Sequence, residues 1–429
     1  MKKNDFTKLI SNGKLDSVLR ESLCVDAAKI PAERERYTKA LDSFDKLYGD
    51  ADVRLFSVGG RSEISGNHTD HNHGRVVAAS VNLDILAVAS ATSDGTVRIK
   101  SEGFPEDVVA EGKCDEVDKS LYFTSASIIA GMQKAFLNAG YKIGGFNAYT
   151  TSNVLKGSGV SSSAAFEVMV GNILNYLYND GKVSNVEIAK MAQYAENVYF
   201  GKPCGLMDQT ACAVGGFITI DFNDPANPLI ESLDFDLTKA GYSLCIVNTG
   251  GNHADLNEDY ASVPAEMKSV AAVLGREVLR GLEMKDVIEN SSLIREKCGD
   301  RAFLRAMHFI RENERVGAQV EALKSGDIDA FLAGENASGL SSFCYCQNVY
   351  TTKNVSEQGL SVALCITEDF LKGKKSACRV HGGGFAGTIQ AFVPVSDTAE
   401  YKALMDSVFG EGACHVLSVR RDGAVELTI

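Results

Sequence analysis

A chain of 429 residues is long enough for two or three domains and for a core that needs no disulfide or metal staple. Apolar residues make up 45% and charged residues 23%, the balance of an ordinary globular protein. With 56 acids against 43 bases the net charge is -13, which argues against nucleic-acid and anionic-membrane partners. An anionic ligand must then be held by local devices rather than by the overall field. The 11 cysteines are odd in number and show no C-x-x-C pair, and Cys344 and Cys346 stand too close for a zinc knuckle. Free thiols in a reducing cytosol are expected. The start Met1-Lys2-Lys3 has no apolar core behind it, and the longest apolar stretch, Val76 to Ala91, is interrupted by Asn82 and Asp84. No signal peptide and no membrane span are expected, and the location is read as cytoplasmic.

In chain order, residues 5 to 48 carry helical spacing, with Leu15, Val18 and Leu19 among the apolar positions. Strand-like stretches follow at Arg54 to Gly60, Val76 to Val88 and Val97 to Ile99. A helix over Ser127 to Asn138 closes at Gly140, and Phe146 to Thr150 alternates as a strand. The next helix starts within Ser161-Ser162-Ser163 and places Phe166, Met169, Val170, Ile173, Leu174 and Leu177 on one face. Ser184 with Glu187 forms a capping box for a helix through Ile188, Met191 and Ala195. Strands are expected at Phe217 to Phe222, Leu244 to Val247, Thr388 to Val395 and Ala413 to Val419. The pattern is that of an α+β chain with a break near residue 220, hence domains 1–220 and 221–429.

Four segments carry chemistry. Gly157-Ser158-Gly159-Val160-Ser161-Ser162-Ser163-Ala164-Ala165 joins glycines that permit close backbone approach to a helix start with free N–H groups. It reads as a phosphate cradle, with an ordinary Gly/Ser loop and serine cap as the bland alternative. No Gly-Lys pair in the chain is followed by Ser or Thr, so this is not a Walker loop, and charge must come from a metal or a distant base. Gly382 to Gly387 spells G-x-G-x-x-G but precedes a strand containing Pro394, so a tight inter-strand loop fits better than a dinucleotide site. Between Gly60 and Gly74, Asn67, His68, Thr69 and Asp70 offer a sugar clamp. His68, Asp70, His71 and His73 there could instead ligate zinc in a hydrolase, and a solvated turn is the bland reading. Finally, Glu196 and Asp208 bracket a Gly/Pro-broken turn, two carboxylates able to divide metal binding from base chemistry.

Taken together, the four segments resemble the GHMP family of small-molecule kinases, and within it the galactokinase pattern. Gly60 to Asn72 lines up without a gap with G-R-V-N-L-I-G-E-H-T-D-Y-N, and Gly157 to Ala165 with G-x-G-L-S-S-S-A-A. Ala195 to Gln209 is similar to A-E-N-x-F-x-G-x-P-C-G-I-M-D-Q, and Gly382 to Gly387 stands at the third, glycine-rich motif. The resemblance spans residues 40 to 395, with Ser338 to Tyr350 fitting its counterpart poorly. It implies an N-terminal domain like ribosomal protein S5 domain 2, a ferredoxin-like C-terminal domain, and an active site between them. It implies ATP and Mg2+, a small sugar as acceptor at its anomeric 1-hydroxyl, and no obligate protein partner. By matching positions, Asp208 would be the base and Arg61 its charge partner. Ser163 and Glu196 would hold magnesium, the 157–163 loop the phosphates, and Asn67 to Asp70, Gly205 and Tyr260 the sugar. This chain departs from the pattern at Asn67 (Glu in the family), His71 (Tyr), Glu63 (Asn) and Gly59 (Pro). The family Glu faces the 6-hydroxyl of galactose, so its loss leaves galacturonate or an amino sugar as alternative substrates. A non-catalytic sugar sensor on the same fold is the other alternative.

Overall fold

The computed structural model describes residues 1–112, 114–154, 159–202, 204–251 and 256–428. The N-terminal stretch forms three helices rather than one: α1 (Lys3–Ser11), α2 (Asp16–Glu21) and α3 (Ile30–Tyr48). Gly13, at φ +74°, turns the chain after α1, a conformation that a side chain would strain. Asp26 then caps a single 3-10 turn that leads into α3. Their apolar faces bury Ile10, Leu19, Tyr37, Leu41 and Phe44 against Leu55, Leu86 and Val88 of the large sheet.

The strands are β1 (Arg54–Ser65), β2 (Arg75–Thr92), β3 (Val97–Ser101), β4 (Val108–Ala110), β5 (Gly145–Ser152), β6 (Phe217–Asp221), β7 (Leu229–Leu233), β8 (Tyr242–Asn248), β9 (Ala377–Val380), β10 (Thr388–Pro394), β11 (Cys414–Leu417) and β12 (Val425–Glu426). The larger sheet runs β12-β1-β2-β5-β3-β4. The 18-residue β2 is long enough to pair β5 along its second half and β6 along its first, and β6 pairs β7. The smaller sheet runs β11-β8-β10-β9 and is antiparallel throughout. Thus the larger sheet takes strands from both sides of residue 220, and the chain's end returns to it through β12.

The other face of the larger sheet carries α4 (Ser125–Asn138), α5 (Ser162–Tyr178), α6 (Asn185–Tyr194) and α7 (Met207–Val214). The expected capping box opens α6, with reciprocal bonds between Ser184 and Glu187. One expectation fails in detail. Helix α5 is not amphipathic: Val168, Asn172 and Asn175 are buried along with Met169, Val170 and Ile173, while Phe166 and Leu177 are only half-buried. It lies between β1 and β2 on one side and α6 and α7 on the other, so neighbours cover nearly its whole circumference.

The second half adds α8 (Asn257–Val273), α9 (Met284–Glu289), α10 (Ser291–Cys298), α11 (Asp300–Ser325), α12 (Ile328–Ser341), α13 (Gly359–Phe370) and α14 (Thr398–Phe409). Helices α13 and α14 cover the smaller sheet, burying Leu360, Ala363, Tyr401 and Met405 on Val247, Ile389 and Val393. Helices α8 to α11 form a separate cluster around Val263, Met267, Val287 and Phe309. All 11 cysteines are free. Among the described residues no helix is long and apolar enough to cross a membrane.

Candidate active site

The site starts from an irregularity in β1. Its register with β2 slips between Gly59 and Arg61 and again between Glu63 and Ser65. Such irregularities bend a strand and re-aim its side chains. At Gly60 a Cβ would sit 2.6 Å from the carbonyl oxygen of Val160, so only glycine lets β1 approach the cradle loop this closely. The next residue fixes the approach, since the Arg61 amide donates to the same Val160 carbonyl at 3.0 Å.

Arg61 and Asp208 meet as a bidentate pair, Nε to Oδ1 at 2.7 Å and Nη2 to Oδ2 at 2.8 Å. Arg61 Nη1 donates to the Gly159 carbonyl, and the Ser161 hydroxyl donates to Asp208 Oδ2. Three segments 47 to 147 residues apart therefore converge on one carboxylate. The Arg61 side chain is 10% exposed and that of Asp208 32%, so the base candidate stays within reach of a substrate hydroxyl. Burial pushes the Asp208 carboxyl up, but the Arg61 charge and the bonds from Arg61 and Ser161 outweigh it and leave it below the usual carboxylate range.

Of the cradle residues, Gly157 and Ser158 lie outside the described residues. Gly159 has φ +74° and Val160 is buried. Ser161 precedes α5 in the left-handed region at φ 56°, an uncommon state for serine of the kind found at functional turns. Ser162 and Ser163 form the first turn of α5, with Ser163 exposed. The orphan N–H groups of that turn and the helix dipole suit an anion.

Glu196 sits in a π-turn (Ala195–Phe200) that extends α6 and ends at Gly201, φ +82°. It is 3% exposed and accepts from Gln209 Nε2 at 2.8 Å and Lys202 Nζ at 3.3 Å. Gln209 Nε2 also donates to Glu167 on α5 at 3.0 Å, while Gln209 Oε1 is buried with no partner among the described residues. Burial, then the Glu196 charge, pushes the Glu167 carboxyl up to about 8. Hard oxygen donors and an orphaned amide oxygen in one buried place fit Mg2+, which favours such ligands. Glu167 and Gln209 had no role in the sequence reading. Yet Glu167 follows Ser163 by one helical turn, a spacing that puts both on one face.

The clamp candidates divide. Asp70 and Gly205 are adjacent, since a Cβ on Gly205 would lie 3.0 Å from Asp70 Oδ2. His68 Nε2 lies 2.9 Å from the Gly383 carbonyl, and the Tyr260 hydroxyl donates to the Gly384 carbonyl at 2.7 Å. The 382–387 segment is thus a loop between β9 and β10 that leans on the clamp. Thr69 is fully buried and bonds the carbonyls of Gly66 and Arg75, holding the turn itself. Asn67 is also fully buried. Its Nδ2 donates to Glu63 Oε1 at 3.1 Å and the Gly382 carbonyl at 2.6 Å. Its Oδ1 accepts from Ser342 at 3.2 Å and Asn348 at 2.8 Å. All four hydrogen-bonding positions of the amide are filled from within the protein. Glu63 in turn meets Arg379 at 3.1 Å; burial raises its carboxyl, but the Arg379 and His381 environment leaves it lowered and ionised. The zinc alternative gains no support: among the described residues no three His, Cys, Asp or Glu side chains are grouped to hold a metal ion.

This fold and site define the class of GHMP kinases. Residues 127–216 match the family described as "GHMP kinases N terminal domain", and residues 42–91 match the "Galactokinase galactose-binding signature". The galactokinase of Streptomyces coelicolor is 30% identical over 383 residues, covering 86% of this chain and 92% of that one. That of Lactococcus lactis subsp. lactis is 29% identical, covering 86% and 90%. A crystal structure of Lactococcus lactis galactokinase complexed with galactose superposes with a TM-score of 0.75 at 25% identity, covering 90% of this chain and 98% of that one. A crystal structure of mevalonate kinase, at 13% identity and TM-score 0.61 over 86% of this chain and 99% of that one, shares the fold. The chain belongs to the galactokinase family.

Proposed function

We propose that this protein transfers the γ-phosphoryl group of ATP to the anomeric 1-hydroxyl of galactose, giving galactose 1-phosphate and ADP. The observation that carries the reading is the Arg61–Asp208 pair set beside Ser161 at the start of α5. The triphosphate lies along the 157–163 loop, against the N-terminal turn of α5. Asp208 takes the proton of the 1-hydroxyl or orients that hydroxyl in line with the γ-phosphorus. Arg61 keeps Asp208 ionised and fixes its two oxygens. Ser163 and Glu196 hold the Mg2+, which when bound neutralises phosphate charge. Asp70 accepts from sugar hydroxyls, Gly205 leaves room beside it, and His68 and Tyr260 brace the clamp through the 383–384 carbonyls. Residues 1–220 supply most of the sugar and phosphate contacts, and 221–429 set Tyr260 and the 382–387 loop beside them. A cytoplasmic setting belongs to this reading, and the 11 cysteines, all free, are compatible with it.

The related-sugar reading turns on Asn67. The missing family carboxylate is matched by a nearby one, since Glu63 touches Asn67 Nδ2 and is held ionised. Glu63 is spoken for by Arg379, and the Asn67 amide is filled from within the protein. Neither offers a free cation to the carboxylate of galacturonate or a free anion to an amino sugar, and a neutral sugar suits the clamp better. The test is ADP release with Mg-ATP across galactose, glucose, galactosamine, N-acetylgalactosamine and galacturonate. Galactose should stand out. Preference for another sugar would move the substrate, and ADP from none would favour the sensor.

A further inference from the structure

Three carboxylates lie together beside the cradle, and their compensation is uneven. Asp208 has the guanidinium of Arg61 on both its oxygens. Glu196 has the ammonium of Lys202, a side chain still 58% exposed, on Oε1. Glu167 is 1% exposed and meets the neutral amide of Gln209, which it shares with Glu196, and no ion pair to it is formed among the described residues. Gln209 Nε2, with two hydrogens, serves three acceptors: Glu167 Oε2, Glu196 Oε2 and the Cys204 sulfur at 3.5 Å. Oε1 of the same amide, on a residue only 1% exposed, has no hydrogen-bond partner among the described residues. A donor shared three ways beside an acceptor left empty is the arrangement expected where a cation is meant to sit.

We propose that Glu167 is a second carboxylate of the magnesium site, acting with Glu196 across Gln209. A divalent ion would supply the charge the cluster lacks and offer the free amide oxygen a partner, directly or through a bound water. Two protein carboxylates are enough for Mg2+, which completes its shell with water and phosphate oxygens. Helix α5 then contributes twice to one ion, through Ser163 in its first turn and Glu167 in its second. The proposal rests on the kinase reading for the identity of the metal, and its test does not require turnover.

Mn2+ serves as the probe, through the relaxation it induces in solvent water protons, with the full-length protein and a non-hydrolysable ATP analogue. Glu167→Gln keeps the shape and an acceptor for Gln209 but removes the charge. It should weaken Mn2+ binding by about tenfold or more, leave the thermal midpoint as high as in the parent, and raise the Mg2+ concentration needed for half-maximal rate without changing the galactose KM. Mn2+ binding equal to that of the parent would overturn the proposal. Should that variant fail to fold, Glu167→Asp retains the charge but withdraws it by one methylene. Severalfold weaker binding supports the assignment, and parent-like binding overturns it. Absence of ADP with every sugar, alongside lost Mn2+ binding in Glu167→Gln, would strike the substrate reading alone.

Discussion

At the residue scale the site is a matter of which charge faces which. Asp208→Asn keeps the shape of the side chain but loses the charge and accepting capacity that Arg61 and Ser161 hold in place. Its kcat should fall by about three orders of magnitude or more, with ATP affinity measured by calorimetry nearly unchanged. Arg61→Met exposes the opposing effect. Without the guanidinium, burial on Asp208 is opposed only by the Ser161 bond and the lesser effect of Lys202, so its carboxyl rises and is protonated at higher pH than in the parent. The variant's kcat/KM should then decline with acidification from above about pH 5, where the parent enzyme shows no such limb from Asp208. The Glu63–Asn67 contact makes a further prediction. Asn67→Glu would place two carboxylates against each other in a buried site, lowering the thermal midpoint and raising the galactose KM. Adding Glu63→Asn removes the repulsion and should restore much of both, which unfolding scans and steady-state kinetics will read.

At the element scale, short irregularities do the positioning. The β1 irregularity brings Arg61 to the cradle, the left-handed Ser161 turns the chain into α5, and the π-turn ends α6 with Glu196 buried. Gly60→Ala would drive a methyl group into the Val160 carbonyl, and a backbone oxygen cannot swing aside as a flexible side chain can. Activity should fall at least tenfold, with about 1–3 kcal/mol of stability lost in denaturant titration. Ser184→Ala is the contrast. It removes the α6 cap, costing about 0.5–2 kcal/mol, yet should leave kcat and both KM values within twofold at 25 °C.

At the scale of the whole molecule, the clamp on the larger sheet is held by the second half of the chain. Arg379 of β9 is fully buried and donates to Glu63, to Glu335 of α12 and to the Ile64 carbonyl. Glu312 of α11 accepts from the amides of Gly66 and Asn67, and His308 of the same helix lies 2.9 Å from the Asn67 carbonyl. Arg379→Met would leave Glu63 buried without its cation, and removing one partner of such a set costs about 3–5 kcal/mol. Unfolding monitored by calorimetry should show the loss, and the galactose KM should rise more than the ATP KM because the clamp is what loosens.

Local preference and backbone chemistry determined much of this protein from the sequence alone. Eight of the twelve described strands, the Ser184–Glu187 box and the inter-strand glycine loop were legible because each follows from residues within one or two turns. Strands β4, β7, β9 and β12 are five residues or shorter and were not expected. The pairing of Arg61 with Asp208 could be anticipated only through resemblance, since no local rule spans 147 residues. What the sequence could not convey is where the chain's second half presses on its first. That contact turned Asn67 from an open sugar ligand into a filled node among Glu63, Ser342, Asn348 and Gly382. Within the first half, the packing of α5 on α6 and α7 likewise set Glu167, which periodicity assigns to a helix side with no stated role, against Glu196 and Gln209. Side-chain direction at such places is decided by packing and charge between distant segments, and these exist only once the chain has folded.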